Sequence, residues 1–363
     1  MSEFQMKTWY LNNIKWTTVV LVVLYHVCYI FNGVGIPGAI LGSQSIPIFD
    51  DLALFVYPWF MVLLYVVAGI DSWYALQKKT TKQFLKARTI KLLIPSTIGL
   101  LVYQWITGYV GMIAGGAADL IPPALVWPIA ALSGTGPLWF IQVLYVYSLL
   151  LVLFRKLDPN ERLRTLCGKA NLWVLFGLVV LVYASSFVFN LPVLTMYRFG
   201  IYFVSFMIGY LFLSHERPQD ELAAPANLLM VLAVLCGFGY VWLYQGQDFT
   251  TNAILQSIPT NLYLWLMVLA ILGFFKKHFN TQTPFNTFMN QTSFEVYVLH
   301  YPILETLCYV NVQVFHLPAW LRYLAGFVLV YPLSLGLYEL IIRIPILRLL
   351  VLGYQSPRPA SPR

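Results

Sequence analysis

The chain has 363 residues, 60% hydrophobic, 17% aromatic and 10% charged, a mix that excludes an ordinary soluble globular domain. Its net charge of +8 would suit nucleic acid in a soluble protein, but the cations fall between apolar runs, which marks membrane topology instead of a nucleic-acid partner. Cys28, Cys167, Cys236 and Cys308 are scattered without metal-type spacing or a paired framework, so disulfides are not expected.

Apolar windows of about 20 residues predict ten spans, near 16–34, 52–76, 92–115, 138–154, 171–189, 196–213, 226–245, 259–275, 291–311 and 320–341. The polar start through Lys15 leads into a span with no small-residue cleavage site after it, so this first span is expected to serve as its own insertion signal. With the N-terminus in the cytoplasm, all of the 22 Lys and Arg except Arg198 and Arg322 fall on the inside. Lys7 and the C-terminal Arg343, Arg348, Arg358 and Arg363 are among them. A missed or extra span would invert the sign of every later loop, so this asymmetry argues for an even count and two cytoplasmic termini. The predicted fold is all-α: a polytopic membrane helical bundle of about ten transmembrane helices. It forms a single domain over 1–354, and the polar, proline-rich tail 355–363 reads as disordered. The longest exterior connection, roughly 116–137, carries Asp119, Pro122, Pro123, Pro128 and a Gly134-Thr-Gly136-Pro137 turn. It is expected to lack regular helix and to fold over the outer mouth.

Three features could carry chemistry. In the first span, His26 shares a helical face with Val22, Val19 and Lys15, since eleven residues turn about 1100° and rise roughly 16 Å. A histidine in hydrocarbon needs a reason. Burial disfavours the charged imidazolium, so His26 is expected to be neutral and able to accept a proton, as a general base must. The plainer alternative is a histidine that ties two helices by a hydrogen bond. Next, Lys78, Lys79, Lys82, Lys86, Arg88 and Lys91 crowd a short inner loop with nothing acidic among them. Such a cluster can hold a phosphate-rich cofactor, Arg88 and Lys91 being best placed, although ordinary topology and anionic lipid would also account for it. Third, Ser293, Tyr297 and His300 recur on one face of the ninth span, where His300 should lie roughly 13 Å deep, level with His26. Two histidines at matched depth suggest one polar cavity. Lesser candidates are Asp71, Gln142, Glu295, Glu305 and Glu339, whereas Asp50 and Asp51 read as interface residues. Tyr57, Trp59 and Trp139 offer stacking surfaces to a sugar.

Several stretches resemble the acyltransferase-3 family of bacterial membrane acyltransferases. Lys15 and His26 keep the spacing of that family's first-span Arg and His. Val67-Ala-Gly69 is similar to its small-Gly turn, and Trp73-Tyr74 to the aromatic stretch after it. Phe84-Leu-Lys-Ala-Arg88-Thr-Ile-Lys91-Leu-Leu-Ile-Pro95, Leu138-Trp139-Phe140, and the block from Ser293 through Tyr297 and His300 to Pro302 follow in the family's order. Lys15 stands where the family has Arg, and Pro137 where relatives often have His. A phosphate grip that relies on the Arg fork should be weaker here, although the charge remains.

The resemblance implies transfer of an acyl group, acetyl or succinyl, from cytosolic acyl-coenzyme A to a hydroxyl of an extracytoplasmic or lipid-linked glycan. It implies a multi-pass protein of the bacterial plasma membrane, among membrane lipids. Acyl-coenzyme A is then the donor substrate, and neither a permanently bound cofactor, a metal nor a nucleic-acid partner is expected. In this reading His26 deprotonates the acceptor, while Lys15, Arg88 and Lys91 hold the donor. Tyr297, His300, Ser293 and Trp139 serve the acceptor or support His26. The main rival is a proton-coupled secondary transporter of a small anion or saccharide; a sensor that binds without turnover is a third. Against the transporter stands the lack of corresponding glycine- or proline-broken spans in two halves.

Overall fold

The computed structural model describes residues 8–40, 43–116, 120–192 and 196–356. Lys7, Asp119, Arg358, Arg363 and all but the first two residues of the 355–363 tail lie outside the described residues.

The chain opens with α1 (Trp9–Ile30), seven residues ahead of the first apolar window. Its Thr17-Thr-Val-Val run would be a poor helix in water. In lipid the backbone has no other way to pair its N–H and C=O groups, so the helix runs straight through. Then come α2 (Pro47–Val56) and α3 (Phe60–Lys78), which together form one apolar length interrupted near Pro58. Thr80 and Gln83 exchange the reciprocal bonds of a capping box at the start of α4 (Thr81–Arg88). The same rod continues through a π-helical turn at Thr89–Leu93, α5 (Ile94–Gly99), a second π turn at Leu100–Gln104 and α6 (Trp105–Ala114).

The exterior connection differs from expectation, for it contains α7 (Pro123–Ser133). Pro122 and Pro123 stand at the cap and first position, where a missing N–H costs nothing, so residues read as breakers start a helix instead. A 3-10 turn at Gly136–Leu138 leads into α8 (Trp139–Leu157). The fifth window is split between α10 (Leu172–Gly177) and α11 (Val179–Ser185), preceded by the short α9 (Arg162–Cys167). The sixth window begins with a strand that the all-α reading did not foresee: β1 (Asn190–Pro192) pairs antiparallel with β2 (Met196–Arg198). There α12 (Phe199–Leu211) bends by 103° into α13 (Glu216–Ala223). The chain closes with α14 (Ala226–Tyr244), α15 (Asn252–Leu255), α16 (Ile258–His278), α17 (Pro284–Gln313), α18 (Ala319–Ile341) and α19 (Pro345–Leu352).

All ten apolar windows thus contain helix. Among the described residues seven helical lengths are long and apolar enough to cross a membrane, eight if the bent pair counts as one. The 30-residue α17 is not among them, because its polar residues dilute its apolar character. Two packing details position the site. Gly69 and Gly209 let α3 and α12 touch backbone to backbone: a Cβ on Gly69 would overlap the Phe206 carbonyl, and one on Gly209 the Val66 carbonyl. The Val67-Ala-Gly69 stretch, expected as a turn, is therefore a helix contact of the small-residue kind. Pro302 sits inside α17 and cannot bond the carbonyl of Val298, which instead accepts from the Tyr103 hydroxyl at 3.4 Å.

Candidate functional site

At the end of the bundle that carries Lys15, α1, α3, α4, α8, α17 and the first π turn enclose a cavity of about 210 Å³. Lys15, Asp71, Arg88, Lys91, Ser293 and Tyr297 are among its lining residues. Its cations are already engaged. Lys15 Nζ lies 2.8 Å from Asp71 Oδ2. Lys91 Nζ lies 3.2 Å from Glu295 Oε1, donates to the Leu352 carbonyl at 3.2 Å, and sits over the rings of Phe294 and Tyr354 at 3.8 and 3.6 Å. Arg88 Nη2 donates to Ser72 Oγ at 2.9 Å, with its guanidinium carbon 5.1 Å from the Phe84 ring centroid. Lys78, Lys79, Lys82 and Lys86, expected in the same cluster, are exposed and line no part of this cavity.

Toward the other end lies a larger cavity of about 490 Å³, walled largely by aromatic rings. His26 lines it together with Tyr25, Tyr29, Tyr57, Trp139, Tyr197, Tyr202, Tyr297 and Tyr301. Leu132, Ser133, Thr135, Gly136 and Pro137 of the exterior connection form part of its wall, and Leu132 is 72% exposed, so the cavity reaches the surface there. Tyrosine rings suit a saccharide, offering a flat apolar face and a hydroxyl at the edge.

Behind His26 stands His300, fully buried. His300 Nδ1 lies 2.8 Å from the Tyr297 carbonyl and 3.2 Å from that of Val296, and its Nε2 lies 3.1 Å from His26 Nδ1. Carbonyls only accept, so Nδ1 of His300 carries the hydrogen and Nε2 of His300 holds the lone pair. With both rings neutral, His26 must then donate from Nδ1, which leaves its Nε2 as the free acceptor. The two imidazoles set each other's tautomers through the backbone of α17.

The structure therefore brings Lys15, Arg88, Lys91, Ser293 and Tyr297 to one cavity, and His26, Trp139 and Tyr297 to the other. His300 lines neither, which corrects the expectation of two histidines in one cavity: its Nδ1 is turned back to its own helix. Trp59 is also away from the cavities, buried with Nε1 donating to the Phe55 carbonyl and the Tyr263 hydroxyl. Asp50, read as an interface residue, is 7% exposed and accepts from the Gly33 N–H. Sequence reasoning missed Ser72 and Tyr354, partners of Arg88 and of Lys91 and Glu295. Tyr354 left no signal, because it follows the last span by more than a full turn. Ser72 was detectable in retrospect, since it adjoins Asp71 in the first polar step of α3, whose other polar pair, Gln77-Lys78, closes the helix.

A helical membrane bundle that stacks a cation-lined chamber beneath an aromatic one, with an imidazole exposed in the second, defines a polytopic membrane protein built around a buried reactive site. A family model described as an acyltransferase domain matches residues 8–339. The chain belongs to the acyltransferase-3 family, and is accordingly a multi-pass membrane O-acyltransferase. It is similar to the glucans biosynthesis protein C of Escherichia coli K12, of Escherichia coli O81 (strain ED1a) and of Shigella boydii serotype 4 (strain Sb227). Each is 23% identical over 96% of this chain and 94% of the relative. No solved structure matches.

Proposed function

We propose that the protein moves an acetyl or succinyl group from acyl-coenzyme A, bound at the inner cavity, to a hydroxyl of a glycan seated in the outer one. Ten spans with both termini in the cytoplasm of a bacterial plasma membrane give the two cavities their sides: Lys15, Arg88 and Lys91 face the cytosol, His26 the exterior. The glucan in the relatives' name makes a glucan the first acceptor to try. One observation supports the reading above the others: the face of α1 that carries Lys15 and Val19 into the inner cavity carries Val22 and His26 into the outer one.

The chemistry follows from the tautomers. His26 Nε2 takes the proton of the acceptor hydroxyl as its oxygen attacks the thioester carbonyl. The tetrahedral adduct then expels the coenzyme A thiolate, and the proton on His26 returns to that sulfur, giving an ester and a free thiol. His300, held by two backbone carbonyls, keeps the His26 lone pair turned outward and shares the positive charge that builds on it. Arg88 and Lys15 meet phosphate, Arg88 as a fork and Lys15 as a point charge.

The test is thiol release from acetyl- or succinyl-coenzyme A by purified protein, with and without a glucan oligosaccharide. His26→Ala should lower acceptor-dependent release by about 10²- to 10⁴-fold, and His300→Ala by less, with both variants still folded. Donor binding without thiol release in the native protein would point to a sensor. No interaction with the donor would point to a transporter. Loss of folded His26→Ala protein would return this histidine to a packing role.

A further inference from the structure

The two cavities are separate, and the wall between them is thin. Along α1 the lining passes from Val19 in the inner cavity to Val22 in the outer one, along α3 from Leu64 to Met61, and along α17 from Ser293 to Tyr297. On α1 and α3 each step is three residues, so the cavities lie about 5 Å apart along those two helices, while along α8 the lining alternates, Trp139, Gln142 and Val143 facing one cavity and Phe140, Ile141 and Leu144 the other. Tyr297 is the one residue that lines both.

Its setting explains how it closes the gap. The Tyr297 side chain is 4% exposed, and its hydroxyl donates to the carbonyl of Pro137. Pro137 lies in the 3-10 turn and forms part of the outer wall. On the inner side Phe140 packs edge-on against the same ring, centroids 5.7 Å apart, and itself lines the inner cavity. One face of the tyrosine ring is thus held by a cavity-wall phenylalanine and its tip by a single hydrogen bond. Nothing covalent or charged fixes it. Moving the ring about χ1 breaks one neutral hydrogen bond, worth about 1 kcal/mol net, and displaces the neighbours that leave it 4% exposed.

We propose that Tyr297 is the door between the donor chamber and the acceptor chamber: shut, it keeps water and acceptor from the cytosolic side, and it swings aside for the acyl thioester to reach His26. The inference rests on the two-sided acyl transfer proposed above, but the door itself can be tested without any acyl chemistry. The Pro137 carbonyl acts as its latch, so the 3-10 turn of the exterior connection has a positioning role for the passage.

Ala68 lines the inner cavity only and holds none of its charged groups. Ala68→Cys therefore reports which side that cavity opens to. Membrane-impermeant thiol reagent is added to right-side-out and to inverted vesicles, and labelling is read against the same proteins lacking Ala68→Cys. Inverted vesicles should label Ala68→Cys whatever stands at 297. Right-side-out vesicles should leave it unlabelled with Tyr297 present. They should label it roughly tenfold or more faster with Tyr297→Ala, because access decides the rate of a thiol of fixed chemistry. Tyr297→Phe, which keeps the ring and removes only the latch, should fall between. This variant decides the matter if Tyr297→Ala does not fold. Outside labelling with Tyr297 in place, or none with either variant, would overturn the door. Labelling as expected together with failed thiol release would retain the door and remove the acyltransfer reading built on it.

Discussion

Arg88 is the residue on which the proposed donor site chiefly rests. It is the one cation there whose nearest polar partner is a neutral hydroxyl, that of Ser72, whereas Lys15 and Lys91 each face a carboxylate. An incoming phosphate would therefore take an Arg88 hydrogen bond at the cost of one neutral contact. Arg88→Ala should raise the donor concentration for half-saturation roughly tenfold or more, equivalent to about 1.4 kcal/mol. The acceptor requirement should change little. Arg88→Lys should recover only part of the loss, since the fork is gone. A donor titration showing unchanged half-saturation for Arg88→Ala would remove it from the donor site. The place of Arg88 on the lining of the inner cavity follows the expectation drawn from a basic residue at the head of a span, a position that ordinary topology and anionic lipid would also account for. Its partner was not legible in advance, because a serine that hydrogen-bonds sixteen positions away leaves no periodic trace. The carboxylates Asp71 and Glu295 were singled out as isolated charges, but no spacing in the sequence could pair them with Lys15 and Lys91.

At the scale of elements, α3 and α12 each contribute residues to the outer cavity's wall, and their contact depends on two glycines. A side chain at Gly69 meets backbone, which cannot rotate away. Gly69→Val should therefore part the helices and cost about 1–3 kcal/mol, seen as a lower thermal midpoint in detergent. Gly239→Val on α14, where a Cβ meets open space, should leave the midpoint unchanged. Hydropathy found α1, α3, α8, α14, α16 and α18 because lipid demands an apolar length and the sequence supplies it. Helix α17 was found on a weaker signal, its polar face being the part that meets His26. The hairpin of β1 and β2 and the helix α7 were not legible. Three-residue strands have no usable alternation, and prolines signal a helix start only once the position of the first turn is known.

For the whole molecule, the proposed topology makes a claim that is independent of chemistry. A reporter that folds only in the cytoplasm, fused after Gln355, should be active, and one fused within the exterior connection near Leu132 should be silent. Activity at both positions would mean an even number of crossings between them and would turn the two cavities to the wrong sides. The expected sidedness rests on charge asymmetry, which sums over every loop and tolerates error in any one. The separation of two chambers was not readable from sequence. It depends on Tyr297 reaching the carbonyl of a residue 160 positions earlier, a contact that exists only once α8 and α17 are packed together.

The two inner ion pairs have an effect on selection. Because Asp71 and Glu295 already balance Lys15 and Lys91, only Arg88 is left to attract a lone monovalent anion such as acetate or chloride. A guest that brings several negative charges at once can meet Arg88 and also compete with both carboxylates for Lys15 and Lys91. Abundant small metabolites would then pass by, leaving the chamber to a polyphosphorylated carrier.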